Sequence, residues 1–245
     1  MGVKFHRNPV IAHRGAFKKN GYPENSIASL KEATRLGCTG SEFDVRMTAD
    51  DILVVQHDSD YHQMEIEKAN YSTLAQMTLP NGETLPTLRE YILAGMIDNN
   101  GTRLVVEIKP SEISKERGQI IAEKVVKMVE AIGASALVVY ISFDFEMLKN
   151  IRKLNPHAIT QYLEGDKSPE QLKAEGIDGA DYHISVFRKN FDWIHSAKKH
   201  KLILNAWTVN DPEEMKWLLS NDFDFITTNE PEMLFEILQS LKPKN

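Results

Sequence analysis

Two histidines and two basic side chains fall within four short segments of the sequence, together with three carboxylates in strand-like runs and a fourth at Asp58. The segments are His13-Arg14-Gly15, Glu42-Phe43-Asp44, His57-Asp58 and Glu107-Ile108-Lys109. In the second and the fourth, the charged residues are two positions apart, so both side chains would point to the same face of a β-strand. Histidines with carboxylates and cations nearby could move protons on a substrate and stabilise negative charge on it.

The three carboxylates predict a metal site. Carboxylates that converge in a protein interior repel each other strongly unless a cation lies among them, because unpaired buried charge is costly. Glu42, Asp44 and Glu107 offer only oxygen ligands, which favours Mg2+ or Ca2+ over Zn2+. Such an ion could hold a phosphoryl oxygen and lower the pKa of a bound hydroxyl group.

The basic and imidazole side chains suit a phosphodiester. Arg14 and Lys109 would supply positive charge to the ester and to its pentavalent transition state. His13 and His57 could divide the roles of general base and general acid, and the sequence does not say which is the base. A single histidine at a strand end is often only structural, but four reactive groups at neighbouring strand ends favour a common site.

Strand ends position residues of this kind, and the sequence predicts eight parallel strands. Short β-rich runs alternate with longer amphipathic segments, which is typical of a parallel sheet covered by helices. The predicted strands are 9–13, 41–47, 103–108, 137–142, 158–163, 181–186, 202–209 and 223–227. Eight β-then-α units in 245 residues favour one domain, residues 1–245, forming a closed (β/α)8 TIM-type barrel rather than an open doubly wound sheet.

Capping patterns predict where several helices begin. Thr87 and Glu90 have the spacing of a capping box. Ser168-Pro169 and Asp211-Pro212 place a capping side chain before a proline at the first helical position. These residues set the predicted helix starts after three of the strands.

One further strand is predicted outside the parallel set. The run 52–57 follows the second strand after the turn 48–51, which is far too short for a parallel crossover, so it should return antiparallel. If the turn centres between Ala49 and Asp50, facing residue numbers sum to about 99, which sets His57 beside Glu42. The polar, turn-rich segment 58–85 is expected to form a rim or lid over the barrel mouth.

The composition excludes several classes of protein. The chain is 42% apolar with a formal charge of −6, and it has no basic run of the kind that follows a nucleic-acid backbone. Its lone Cys38 excludes an internal disulfide framework, and no stretch approaches the roughly 18 apolar residues of a membrane span. The sequence predicts a soluble protein with a small-molecule substrate and no nucleic-acid partner. Oligomeric state and compartment stay open: cytoplasmic as written, periplasmic or secreted if a signal peptide was trimmed.

The reactive segments, taken in order with others, resemble the motif series of the glycerophosphodiester phosphodiesterase family. The segments are His13-Arg14-Gly15, Pro23-Glu24-Asn25-Ser26, Glu42-Phe43-Asp44-Val45, Val55-Gln56-His57-Asp58, Leu85-Pro86-Thr87-Leu88, Glu107-Ile108-Lys109, Ile141-Ser142-Phe143, Ala206-Trp207-Thr208-Val209-Asn210 and Phe225-Ile226-Thr227-Thr228-Asn229. The series covers nearly the whole chain. Each motif is weak alone, but the series in this order is highly specific.

The resemblance implies a TIM-type barrel and a role for each candidate residue. The roles are metal binding by Glu42, Asp44 and Glu107, catalysis by His13 and His57, phosphate binding by Arg14 and Lys109, and an apolar wall for glycerol at Trp207. For Trp207 the alternative is a place in the barrel core. The chain departs from the family in Ser26, where Thr is usual, and in 58–85, which does not reproduce the Arg- and Thr-containing stretch common there.

The activity implied is metal-dependent hydrolysis of glycerophosphodiesters, such as glycerophosphocholine or glycerophosphoethanolamine, to sn-glycerol 3-phosphate and an alcohol. In the family's usual scheme, the glycerol hydroxyl next to the ester attacks phosphorus, the alcohol leaves, and water opens the cyclic phosphate. The alternatives are a phospholipase-D-like or cyclizing activity on lysophospholipids and a catalytically silent barrel that binds phosphorylated ligands. A nucleotide-binding open sheet is disfavoured because no Gly-rich phosphate loop follows the first strand.

Overall fold

Eight parallel strands close into a barrel in the computed structural model, which describes residues 4–241. The strands of the described chain are β1 (Val10–Ala12), β2 (Gly40–Met47), β3 (Leu53–Val55), β4 (Asp60–Tyr61), β5 (Met64–Glu65), β6 (Arg103–Ile108), β7 (Val138–Ser142), β8 (Ile159–Tyr162), β9 (Gly179–His183), β10 (Ile203–Trp207) and β11 (Phe225–Thr228). The barrel order is β1, β2, β6, β7, β8, β9, β10 and β11, and pairing of β11 with β1 closes it. The prediction of a (β/α)8 barrel is confirmed.

Helices follow the barrel strands and cover the outside. They are α1 (Ile27–Leu36), α2 (Tyr71–Leu74), α3 (Leu88–Met96), α4 (Lys115–Ile132), α5 (Phe145–Leu154), α6 (Pro169–Ala174), α7 (Ile184–Lys189), α8 (Asp192–Lys199), α9 (Pro212–Ser220) and α10 (Pro231–Ser240). No helix within residues 4–241 is long and apolar enough to cross a membrane.

The predicted caps are present. The Thr87 side chain accepts a hydrogen bond from the backbone of Glu90, and the Glu90 carboxylate accepts one from the backbone of Thr87, so α3 begins with a full capping box. Ser168 and Asp211 cap α6 and α9, each with proline at the start of the helix. These local preferences fix the helix starts and therefore the lengths of the loops between strands and helices.

The predicted strand 181–186 is wrong at both ends. The strand β9 covers Gly179–His183, and the next three residues already belong to α7. The His183 side chain accepts a hydrogen bond from the backbone of Ser185 and so caps that helix. The cap stops the strand early and turns the chain outward at the barrel mouth.

Successive side chains on each barrel strand point alternately outward and inward, so the hydrophobic residues form two separate cores. Side chains that point outward pack against the helices in the large core, among them Val106, Tyr140 and Tyr182. A smaller cluster fills the barrel interior; it consists of Ile11, Val105, Val139, Ile141 and Leu163. Because the interior cluster lies on only part of the barrel wall, the remaining inward positions are free for polar residues.

The extra strand β3 pairs antiparallel with β2, as predicted, but in a different register. Val45 faces Val55, so facing residue numbers sum to 100. The ladder also ends at Val55, which places His57 beyond the paired region. The expectation that register sets His57 beside Glu42 is therefore wrong by one residue.

The segment 58–85 is anchored to the barrel through packing and acidic contacts. Its hairpin of β4 and β5, the 3-10 turn Ile66–Lys68 and α2 share a buried cluster with Val54 of β3. The Glu83 carboxylate accepts hydrogen bonds from the backbone of Ile27 and Ala28 at the start of α1. The expectation that this segment forms a rim or lid stays a prediction.

Candidate active site

One cavity at the C-terminal ends of the barrel strands brings the predicted residues together. The lining includes seven of the eight candidate residues, namely His13, Arg14, Glu42, His57, Glu107, Lys109 and Trp207. The eighth, Asp44, is buried next to the lining and contacts it through Lys109. Most of the charged residues come from the ends of β1, β2 and β6, with Asp181 on β9, and the apolar residues come from the opposite wall.

The three carboxylates form a single buried group. One oxygen from each of Glu42, Asp44 and Glu107 lies within 4.8 Å of the others, and all three side chains are buried. Asp44 and Glu107 are direct neighbours in the pairing of β2 with β6. The parallel register therefore puts two carboxylates side by side, and the i, i+2 spacing adds the third on the same face.

Burial and mutual repulsion disturb these acids. The pKa of Glu42 is raised well above its usual value by burial and by the charges of Asp44 and Glu107. Burial and the charge of Asp44 raise the pKa of Glu107 to about 7. Burial also acts to raise the pKa of Asp44, but the charges of Lys109 and His57 outweigh it and lower that pKa to about 2.

Lys109 contacts two of the carboxylates. Its Nζ lies 2.9 Å from Asp44 Oδ1 and 2.6 Å from Glu107 Oε1. Burial acts to lower the pKa of Lys109, but the two carboxylates raise it overall, so the ammonium stays charged. One ammonium group cannot neutralise three carboxylates, and Glu42 is left without it.

The donor set fits a hard divalent cation. Glu42 Oε1 is buried and has no hydrogen-bond partner, while Glu42 Oε2 accepts a hydrogen bond of 2.8 Å from the backbone of Arg14. One oxygen of Glu42 lies within 4.8 Å of an oxygen of Asp44 and of one of Glu107. All-oxygen ligation of this kind suits Mg2+ or Ca2+, and a cation here would remove the repulsion that raises the pKa of Glu42 and Glu107.

His13 follows β1 and is held by an amide. Its Nδ1 lies 2.7 Å from Asn229 Oδ1, and its Nε2 lies 3.9 Å from Glu42 Oε2. With the amide oxygen as acceptor, Nδ1 carries the proton and Nε2 presents its lone pair to the cavity. Burial and the charge of Arg14 lower the pKa of His13 to about 4, which keeps the ring neutral.

The turn after His13 needs glycine. Gly15 has φ of +80°, and a Cβ at this position would overlap Ser29 of α1. Arg14 itself is left-handed, with φ of +54°. This tight turn aims the Arg14 guanidinium back at the site, where Nη1 donates to Glu24 at 2.8 Å and Nε lies 3.5 Å from Asp44.

His57 reaches the same cavity from the hairpin. Its Nδ1 lies 2.8 Å from the carboxylate of Asp58. The Arg46 guanidinium donates a 2.9 Å hydrogen bond to the carbonyl oxygen of His57 and so fixes the backbone beyond the ladder. The position of His57 therefore depends on this side-chain contact and not on strand register.

The opposite wall of the cavity is apolar. Trp207 lies there half-buried and packs edge to face on Phe143, with ring centroids 5.6 Å apart. Ile141 and Leu163 complete the wall. Trp207 Nε1 donates a 2.9 Å hydrogen bond to the carbonyl oxygen of Asp181, which fixes the indole. The tryptophan is thus part of the cavity wall and also packs against the cluster that fills the barrel interior.

Several polar residues of the site, Asn25 and Asp181 among them, had no individual role in the sequence interpretation. Asn25 is buried and left-handed, with φ of +58°; its amide donates to Asp44 Oδ2 at 2.8 Å and accepts from the Asp44 backbone at 3.1 Å. Asp181 is buried and lines the cavity from β9. Asn25 belongs to the Pro23–Ser26 motif, which could have indicated it, whereas only an exact placement of β9 would have indicated Asp181.

His183 is exposed at the end of β9 and packs edge to face on Trp207, with ring centroids 5.4 Å apart. The early end of β9 is the reason, because the residue caps α7 instead of continuing inward.

A parallel (β/α)8 barrel with two histidines, a carboxylate triad and two cations at its mouth defines a hydrolase of phosphate diesters. Residues 13–233 match the Glycerophosphoryl diester phosphodiesterase family. The chain belongs to this family and is a phosphoric diester hydrolase.

Relatives support the assignment along the whole length. A glycerophosphodiester phosphodiesterase of Caldanaerobacter subterraneus subsp. tengcongensis is 31% identical, over 94% of this chain and 97% of that protein. The crystal structure of a glycerophosphodiester phosphodiesterase from Parabacteroides distasonis is 40% identical with a TM-score of 0.92, over 96% of this chain and 98% of the other. An Oleispira antarctica phosphodiesterase, solved in complex with the product sn-glycerol-3-phosphate, is 25% identical with a TM-score of 0.80, over 95% and 97% of the two chains.

Proposed function

We propose that this protein hydrolyses glycerophosphodiesters to sn-glycerol 3-phosphate and an alcohol with a divalent cation and two catalytic histidines. The observation that carries the proposal is that His13 and His57 line the same cavity as the carboxylate group and the two cations. The product in the Oleispira antarctica relative supports the choice of substrate class. We propose one catalytic domain over residues 1–245, with 58–85 as a rim segment.

Glu42, Asp44 and Glu107 would hold the cation, which is Mg2+ or Ca2+. When bound, such an ion supplies positive charge for a phosphoryl oxygen and lowers the pKa of a hydroxyl group that it contacts. Arg14 and Lys109 stand beside this group, where they bind the remaining phosphoryl oxygens and stabilise the pentavalent transition state.

The two histidines differ in the partner of Nδ1. His13 is paired with a neutral amide, which fixes the tautomer and leaves Nε2 ready to accept a proton. His57 is paired with the carboxylate of Asp58, a hydrogen bond that orients the ring, as the aspartate does in a serine protease triad. We therefore assign His13 as the base that deprotonates the attacking glycerol hydroxyl and His57 as the acid that protonates the leaving alcohol. The roles reverse when water opens the cyclic phosphate.

The first test is release of sn-glycerol 3-phosphate from a panel of glycerophosphodiesters in EDTA, followed by addition of Mg2+ or Ca2+. We expect release only after metal is added, and no release from a His13→Asn variant that unfolds at the wild-type temperature. Full activity in EDTA would refute the proposed dependence on a divalent cation. An inactive folded wild type under both metals would remove the proposed reaction.

The acid–base assignment has its own test, in which the leaving group is varied. A p-nitrophenolate leaving group needs no proton. The turnover of His57→Asn should therefore fall by about 10²- to 10⁴-fold on glycerophosphocholine and by far less on the p-nitrophenyl ester of glycerol 3-phosphate. His13→Asn should lose a similar factor on both. The reverse pattern would exchange the two roles.

The apolar wall favours a second candidate, which is action on acylated glycerophosphodiesters such as lysophospholipids. Trp207, Phe143 and Leu163 give the cavity a surface that an acyl chain could cover. Turnover of lysophosphatidylcholine and of glycerophosphocholine, compared at equal concentration, distinguishes the two. We expect the deacylated substrate to react faster, because the polar groups of the cavity match a free glycerol.

A further inference from the structure

Asp181 is a buried carboxyl group that the proposed mechanism does not use. It lies on β9, where its neighbour Tyr182 packs outward on Phe187 of α7 with ring centroids 5.7 Å apart. Alternation along the strand therefore turns Asp181 into the barrel. Its side chain is 1% exposed, and it lines the cavity that contains the histidines.

One oxygen of this carboxyl group has no partner. Asp181 Oδ1 is buried and makes no hydrogen bond in the described protein. Asn205, on the next strand, donates to Thr227 at 3.0 Å between Asn205 Nδ2 and Thr227 Oγ1; its side-chain amide also acts to lower the pKa of Asp181, but Oδ1 stays without a partner. An unpaired buried acceptor costs free energy, and such atoms in a ligand cavity indicate a group that the ligand supplies.

Three kinds of ligand group could lie against Asp181 Oδ1, namely a cation, a phosphoryl oxygen and a hydroxyl group. Asp181 does not belong to the carboxylate group that fits a cation, which among the described residues is Glu42, Asp44 and Glu107. The phosphoryl oxygens of a substrate already have Arg14 and Lys109, which lie beside the carboxylates of β2 and β6. A hydroxyl group fits, because a carboxyl oxygen accepts a hydrogen bond from it whether or not the acid is protonated.

We propose that Asp181 binds the terminal hydroxyl group of the glycerol moiety, the one that takes no part in the attack on phosphorus. This inference rests on the proposed function. The attacking hydroxyl must lie near His13, and the phosphate near Arg14 and Lys109, so the terminal hydroxyl is the group left for the other side of the cavity. Trp207 Nε1 is bonded to the backbone of Asp181, which holds an apolar face for the glycerol carbons beside an acceptor for the hydroxyl.

The experiment compares two diesters with the same choline leaving group. One is glycerophosphocholine, and the other is built on propane-1,2-diol, which keeps the attacking hydroxyl and lacks the terminal one. For the wild type we expect kcat/KM to be about 10- to 100-fold higher on the glycerol diester, because a site built to bond a hydroxyl rejects an analogue without it. In Asp181→Leu the preference should fall to within about threefold of unity, through loss on the glycerol diester alone.

Two further variants complete the design. Asp181→Asn keeps an acceptor oxygen and should retain most of the preference. Gln161→Leu is the matched control, since Gln161 is also buried and has an unpartnered Oε1 but does not line the cavity. It should keep the wild-type preference. If Asp181→Leu does not fold, Asp181→Ala takes its place, with thermal unfolding as the check on both.

An unchanged preference in the folded Asp181→Leu or Asp181→Ala variant overturns the proposal, and so does a wild type without any preference. If the wild type hydrolyses neither diester, the proposed function is refuted, and the Asp181 proposal needs a separate test. In that case, calorimetric binding of sn-glycerol 3-phosphate and of propane-1,2-diol 1-phosphate decides about Asp181. Tighter binding of the glycerol compound that is lost in Asp181→Leu supports the proposal, and equal or absent binding overturns it.

Discussion

Replacing Glu42 by Gln removes one charge from the carboxylate group and keeps the size of the side chain. The ligand oxygens of this group lie within 4.8 Å of one another, a separation at which two like charges repel by about 3 kcal/mol for an effective dielectric constant of about 20. The amide oxygen can still accept the hydrogen bond from the backbone of Arg14. Without metal and at alkaline pH, we expect Glu42→Gln to be more stable than the wild type by about 1–3 kcal/mol, or roughly 3–10 °C in Tm.

The sign of the pH dependence follows from the raised pKa of Glu42. Burial and the charges of Asp44 and Glu107 raise this pKa in the folded protein well above its ordinary value of 4.5. Relative to the variant, the wild type therefore has its highest free energy of unfolding below pH 4.5. This free energy decreases as the pH rises and Glu42 ionises. The advantage of Glu42→Gln should be absent in acid and should grow with pH, most of all above the Glu107 pKa of about 7.

Metal should reverse the order of stability. A ligand at 100 times its Kd stabilises the folded state by about 2.7 kcal/mol, and a carboxamide is a weaker ligand than a carboxylate for a hard cation. The assay is urea unfolding followed by tryptophan fluorescence in EDTA and in Mg2+ or Ca2+. Glu32→Gln is the control, because Glu32 is buried against Arg35 outside the site and should destabilise equally in both buffers. A variant less stable than the wild type in EDTA at alkaline pH would falsify the repulsion argument, and equal stabilisation of both proteins by metal would exclude Glu42 as a ligand.

Three other substitutions have defined outcomes. His57→Asn should lower turnover by about 10²- to 10⁴-fold and change the free energy of unfolding by less than about 0.5 kcal/mol, since the side chain is 35% exposed; a large loss of stability would indicate a structural role. Lys109→Met should abolish turnover and destabilise the metal-free protein by about 3–5 kcal/mol, because Asp44 loses its buried partner; bound metal should recover part of the stability but not the turnover. Gly15→Ala should destabilise by more than about 1 kcal/mol, because φ is positive and the new Cβ meets Ser29; unchanged urea unfolding contradicts the described turn.

The barrel and most of the site could be predicted because both depend on local patterns. Period-2 runs and capping residues mark strands and helices one at a time, and eight such units leave few ways to close a sheet. Glu42 with Asp44, and Glu107 with Lys109, each lie two residues apart on one strand, so sequence spacing alone places each pair on one face. Convergence of the pairs then follows from the rule that parallel strands end at the same face of a barrel.

The failures occurred where one side chain overrides a pattern. The hairpin turn was placed half a residue away from its true centre, and this small error shifts every facing pair by one. His183 ends β9 because it caps the next helix, a competition between strand and cap that hydrophobic pattern does not resolve. Both errors lie at the end of a strand, where sequence interpretation is weakest.

Asp181 shows a different limit of the sequence. Its neighbours on β9 read as an ordinary buried strand, and an aspartate there could equally be a surface residue on a misplaced strand end. Its role can be inferred only from the closed barrel, because closure sets β9 opposite the carboxylates of β2 and β6. Burial and the charge of Glu107 then raise the pKa of Asp181 to about 8. A polar residue facing a cavity across the barrel is a long-range fact, and its role depends on the shape of what the cavity holds. Residues that bind the substrate opposite the reacting bond therefore need the structure, whereas the residues that react are found by spacing.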